Sequence, residues 1–224
     1  MNDSLNNFHC IITAMTIASD VHTLLDTVRI YADSVTMEIA DRQNDPRSMC
    51  FWNIHNRVKV TEEILTFYEK SWGSEVFPEV DDEIEGELVE RVITVTRDMF
   101  VDVVSMVEKA SKDAISIYSK SGIGEASMEG RSHLYLRTII ETTADLGLIN
   151  EVTFAEWDDI LVMRNLAAHN NSISDRSKKY AIGNIVISMR PNRMMKGPLD
   201  TFVVLTDRIV TLFYSWIKIL DDRF

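Results

Sequence analysis

Arg164, Asn165 and His169, within the stretch "RNLAAH", carry the side-chain types needed for acid–base chemistry on an anionic substrate. A guanidinium offers a planar fork of donors that matches a phosphate or carboxylate, and it stays charged. An imidazole gains and loses a proton near neutral pH, so it can act as general base or general acid. Asn165 and His169 stand four residues apart, which makes them neighbours on one helix face and lets the carboxamide orient the ring or a phosphate oxygen. Arg164 is oddly placed. It sits among Ile160, Leu161, Val162, Met163 and Leu166, although guanidinium groups are almost never fully buried without a partner.

Each residue also has an ordinary explanation. Arg164 can pair with a carboxylate inside a helical core, and His169 suits the negative end of a helix dipole. The charge around them is less ordinary. The chain has 224 residues and a net charge of −12, which excludes a protein that coats nucleic acid through a general positive field. The charge is uneven, however: residues 1–150 hold 13 basic against 26 acidic side chains, and residues 151–224 hold 10 against 9. Between Arg164 and Lys196 the only acid is Asp175, set against Arg164, Arg176, Lys178, Lys179, Arg190, Arg193 and Lys196. This block is either a solvated loop offsetting an acidic body or a local phosphate-binding surface.

The elements that must position these residues are helical. Apolar residues recur at three- to four-residue steps almost throughout, which predicts long helices. The first runs until "NDP" at Asn44 to Pro46, and Ser48 caps the second, which Gly73 ends. "SEVFPEVDDE" is a connecting loop. A third helix spans about Asp82 to Lys120 and is closed by "SGIG", and a fourth starts at Ser132 and ends near Gly147. Thr153 and Glu156 have capping-box spacing, with Val152 and Trp157 placed for a hydrophobic staple, so the fifth helix starts at Phe154. A last helix runs from about Asp200 to Leu220. Ile185 to Met189 reads as a short strand or a further helical turn. The expected architecture is a single all-α domain, an up-and-down bundle of five to six helices. Ideal helix geometry puts Arg164 and His169 about 140° apart in azimuth and ~7.5 Å apart in rise. Either the helix ends before His169 or a second subunit completes the site.

"RNLAAH" resembles the Arg-polar-x-x-x-His signature of the HEPN superfamily, with Asn165 in the polar place. The flanking order is similar too: a helix leads in, a polar "NNS" loop leads out, and an amphipathic helix closes, so the likeness covers about residues 130–221. It implies a helical bundle that cleaves RNA without a metal or other cofactor, by attack of the ribose 2′-hydroxyl on the adjacent phosphate, leaving a 2′,3′-cyclic phosphate. Arg164 would stabilise the transition-state charge, Asn165 would orient, and His169 would move the proton. Arg176, Lys178, Lys179, Arg190, Arg193 and Lys196 would hold the RNA backbone. The resemblance further implies a homodimer with both motifs facing one cleft, and a toxin or defence role beside an antitoxin protein.

Other chemistries find less support. Cys10 and Cys50 are too few for a disulfide framework or a zinc set, and no metal site is expected. The apolar runs are far short of a membrane span, and "MNDSLNNFHC" lacks the pattern of a signal peptide, so a cytoplasmic protein is expected. Two rivals use the same fold: a non-catalytic helical module binding nucleotide, RNA or a protein partner, and a plain interaction protein.

Overall fold

The computed structural model describes the backbone of residues 3–39, 44–72, 82–169 and 173–224, and the side chains of 16–38, 44–71, 86–169 and 173–224. It is mostly helical. The α-helices are α1 (Asp3–Ser34), α2 (Pro46–Trp72), α3 (Asp82–Ile117), α4 (Ile123–Met128), α5 (Leu136–Asp145), α6 (Glu151–His169) and α7 (Thr201–Arg223). A π-helical turn, Val35–Ile39, extends α1. None of these helices is long and apolar enough to cross a membrane.

Four long helices form a ring, with α1 on α2, α2 on α3, α3 on α7 and α7 on α1. Val21, Val28, Phe51, Val58, Val103 and Phe213 are fully buried at its centre, because their spacing keeps them on the inward face of each helix. The stacked rings of Tyr31 and Tyr214, 4.2 Å apart, join α1 to α7. Helix α6 lies outside this ring against α3, α5 and α7, with Trp157, Ile160, Met163, Leu166 and Ala167 turned inward.

The all-α expectation holds for the helices but misses a β element. β1 (Ile173–Ser174) pairs with β4 (Arg193–Met194), and β2 (Lys178–Ile182) pairs with β3 (Ile185–Met189), both antiparallel. Ile185–Met189 is therefore a strand. Its hairpin closes on a two-residue turn, Gly183–Asn184, in which Gly183 takes φ +57°. A positive φ at the first turn position matches the twist of two-residue hairpins and favours glycine. Tyr180, Ile182, Ile185, Ile187 and Met189 point into the core, where β2 meets α6 and β3 meets α7.

Several helix starts differ from expectation. Asp45, rather than Ser48, caps α2: its carboxylate accepts the Arg47 amide at 2.9 Å, and its carbonyl accepts from Met49. Ser48 is buried and bonds Thr36 across the interface with the turn after α1. Helix α5 starts at Leu136 instead of Ser132, and a short helix of its own, Ile123–Met128, begins within the "SGIG" that closes the third helix. Asn150, rather than Thr153, caps α6, accepting the Thr153 amide at 2.8 Å. The helix accordingly starts at Glu151. Val152 is 78% exposed, so no staple closes there, and Glu156 instead holds Arg208 of α7 through two bonds of 2.7 and 2.9 Å. Gly73, most of "SEVFPEVDDE" and "NNS" lie outside the described residues.

Candidate functional site

Helix α6 remains helical through His169, its last residue. The single chain therefore does not end the helix early to swing the ring towards Arg164. The two side chains line different openings. Arg164 and Asn165 line a cleft of about 630 Å3 together with Val104 and Glu108 of α3, Tyr135 and Arg137 at the start of α5, and Arg176. His169 lines an adjoining cleft of about 450 Å3 with Val162, Asn165, Leu166, Asp175 and Arg176. Val162, Asn165 and Arg176 are common to both, so the clefts meet along one edge.

The surroundings of Arg164 answer the question its position raised. It is half-buried, and no carboxylate among the described residues pairs with it. Its Nη1 donates to Asn165 Oδ1 at 3.2 Å and its Nη2 to Ser105 Oγ at 3.4 Å. The Ser105 hydroxyl in turn donates to the Val101 carbonyl at 2.9 Å, which turns a lone pair towards the arginine. Arg164 Nε is buried and finds no hydrogen-bond partner among the described residues. The acids at both clefts are engaged elsewhere: Glu108 with Lys112 at 2.7 Å, Asp158 with Arg137 at 2.7 Å and Asp175 with Arg176 at 3.1 Å. A guanidinium held in place by neutral acceptors, beside carboxylates already satisfied, keeps its positive charge available to a ligand.

Asn165 thus orients the arginine, with its amide oxygen committed to Nη1. His169 is exposed. Among the six basic residues of the following segment, two are spoken for. Arg176 pairs with Asp175, and Lys178 bonds Asp159 at 3.1 Å while its ammonium lies 4.1 Å from the Tyr180 ring centroid. The Asp159 contact is the main reason that the Lys178 pKa rises.

The other four gather beside the hairpin, Lys179 in β2, Arg190 just after β3, Arg193 in β4 and Lys196 bridged to Ser188. Lys179 stands directly across from Ser188, and Ser188 and Lys196 exchange backbone bonds of 2.8 and 2.9 Å. Directly paired residues share a face, so Lys179 and Lys196 flank Ser188. With Arg190, Arg193 and Met194 they line a groove of about 440 Å3 that has no acid in its wall. No ion pair holds any of the four among the described residues. Like charges at such spacing repel unless counterions or an anionic ligand lie between them. The ladder Ser174↔Arg193 ties this groove to the strand that leads into Asp175 and Arg176.

Sequence reasoning missed Ser105, Tyr135 and Arg137. Ser105 comes from α3 by tertiary contact alone. Tyr135 and Arg137 were hidden by the expected helix start at Ser132; only the observed start at Leu136 puts them on either side of its first residue. Cys50 is buried, and burial pushes its thiol well above the usual range. Among the described residues no cluster of three or more His, Cys, Asp or Glu side chains is placed to hold a metal. No family model matches the chain, and neither a curated protein nor a solved structure matches it.

Proposed function

We propose that this chain is a metal-independent endoribonuclease of HEPN type. The carrying observation is the half-buried Arg164 guanidinium, free of any carboxylate among the described residues and steered by Asn165 and Ser105 into an open cleft. In the reaction, the ribose 2′-oxygen attacks the adjacent phosphorus and the bond from phosphorus to the 5′-oxygen breaks. The products are a 2′,3′-cyclic phosphate and a 5′-hydroxyl. Arg164 stabilises the negative charge that builds on the phosphoryl oxygens. His169 takes the proton of the 2′-hydroxyl or delivers one to the leaving 5′-oxygen. The four-cation hairpin groove follows the RNA backbone beyond the reacting linkage.

One chain offers Arg164 and His169 to adjoining openings, so the reading requires a homodimer in which two motifs face one cleft, related by a two-fold axis. A cytoplasmic toxin or defence role, with an antitoxin protein as partner, follows from the HEPN resemblance. Incubating the purified protein with a mixed RNA pool in chelator tests the proposal. Cyclic phosphate ends are expected, and His169→Ala lowers the rate by about 10²–10⁴-fold while the fold is retained. Undiminished cleavage by that variant removes His169 from the mechanism.

A second reading, a non-catalytic HEPN-like module that binds RNA or a nucleotide, is favoured by one observation: within a single chain, His169 and Arg164 do not line the same cleft. RNA binding with intact product-free RNA in the same assay selects it.

A further inference from the structure

We infer that the Arg164 cleft receives an unpaired RNA nucleotide, with its base stacked on Tyr135 and its phosphate on Arg164. This deepens the RNA reading of the cleft and rests on it. Tyr135 is 55% exposed although it is a large aromatic at the rim of a concave site. It belongs to the extended stretch before α5, with φ −113° and ψ 147°, and acts as the N-cap position of that helix. His133 meets its ring edge-on at 6.4 Å, which limits the orientations the ring can take. Among the described residues the hydrogen bonds of Tyr135 are made by its backbone: its carbonyl accepts the Ile139 amide at 3.1 Å. The phenol ring is left to the cleft.

The lining has two characters. Leu161 and Val162 supply apolar surface over the buried Val104 and Leu136, and Arg164 supplies a cation that no carboxylate pairs with among the described residues; the lining's own carboxylates, Glu108 and Asp158, are held by Lys112 and Arg137. A bare inorganic anion has no use for the apolar wall, and an apolar ligand would leave the guanidinium unanswered. A flat, apolar-faced ring joined to a phosphate satisfies both. The cleft is large enough for one such unit, since small-molecule sites run from about 300 to 1,000 Å3. Bases in a duplex hide their faces in the stack, whereas single strands and loops expose them to aromatic side chains. Stacking on Tyr135 therefore needs an unpaired nucleotide, and Tyr135 is a binding residue for its base.

The test measures affinity by fluorescence anisotropy in the His169→Ala background, so that turnover does not interfere. Three labelled ligands are compared: a single-stranded RNA, an abasic oligomer with the same number of phosphates, and a fully paired RNA duplex. Tyr135→Ala and Tyr135→Leu are expected to weaken single-stranded RNA by about 5- to 150-fold, the range for loss of one stacked base. Tyr135→Phe keeps wild-type affinity, and none of the three changes affinity for the abasic oligomer. Far-ultraviolet circular dichroism of each variant checks that α5 remains folded. The inference is overturned if the single-stranded ligand is indifferent to Tyr135→Leu, if the abasic oligomer weakens equally, if the duplex binds as tightly as the single strand, or if the parent binds no RNA. A parent chain that shows the predicted binding pattern but never cleaves RNA overturns the nuclease reading alone.

Discussion

Two arginines that are both drawn into the fold, Arg47 and Arg164, show opposite uses of a guanidinium. Arg47 is 5% exposed at the start of α2. It grips Asp45 through Nε and Nη2 at 2.9 and 2.7 Å, donates to the Tyr118 hydroxyl, and reaches Asp221 of α7 at 3.4 Å. The Tyr118 ring lies 5.2 Å from its guanidinium carbon. This network fastens the ends of α2, α3 and α7 together. Burial tends to push the Asp45 carboxyl up, but the Arg47 fork outweighs it and holds the group below its ordinary value of 3.8. Arg164 has none of this. It touches two neutral side chains and leaves Nε without a partner among the described residues. A cation neutralised by carboxylates in the interior is structural, and a half-buried one whose charge no carboxylate answers among the described residues, beside an open cleft, is available for binding.

That contrast is sharpened most by substituting the arginines one at a time. Arg47→Ala strands Asp45 in the interior and is expected to cost about 3–5 kcal/mol of stability, read from urea unfolding. Arg164→Ala is expected to change stability by less than about 1 kcal/mol in the same assay. Its cleavage rate on RNA falls by about 10²–10³-fold, the usual loss when one transition-state donor is removed. A large stability loss for Arg164→Ala breaks the comparison, since both arginines would then be structural.

A smaller effect separates the cleft from the hairpin groove. The double variant Lys179→Gln/Lys196→Gln removes two phosphate contacts, so the slope of log affinity for single-stranded RNA against log salt flattens by about 1.4. Lys178→Gln leaves that slope nearly unchanged, because Asp159 already occupies its ammonium. Equal effects from the two variants would show that ion pairing does not sort these cations. The smallest effect is on acid stability. With a folded-state pKa below its unfolded value, Asp45 contributes stability that is fully present above the unfolded value and lost as pH falls through the folded one. Unfolding followed from about pH 5 to pH 2 should therefore lose part of its pH dependence in Asp45→Asn. An unchanged profile would detach Asp45 from the Arg47 network.

Periodicity made the long helices legible, because α2, α3 and α7 bury one continuous stripe each. Their ends were less readable. Thr153 and Glu156 have the spacing of a capping box, yet Asn150 stands three residues earlier with an equally suitable side chain, and Glu156 is claimed by Arg208 from a distant helix. The hairpin was within reach: Gly183–Asn184 between "KYAI" and "IVISM", with alternating buried residues, is a two-residue turn signal. The odd placement of Arg164 was visible from its neighbours, and so was the acid-poor segment that follows. Which acids would be left to pair with Arg164 was not, because that depends on Lys112 taking Glu108 and on Arg137 taking Asp158. Such competition is decided in three dimensions.

The unbroken run of α6 up to its final imidazole also bears on kinetics. If the nuclease reading holds, an isolated chain shows its cation and its proton carrier to two adjoining clefts and completes neither, so specific activity has to decline on dilution below the subunit dissociation constant. Mixing inactive Arg164→Ala chains with inactive His169→Ala chains would then restore part of the rate, because each supplies what the other lacks.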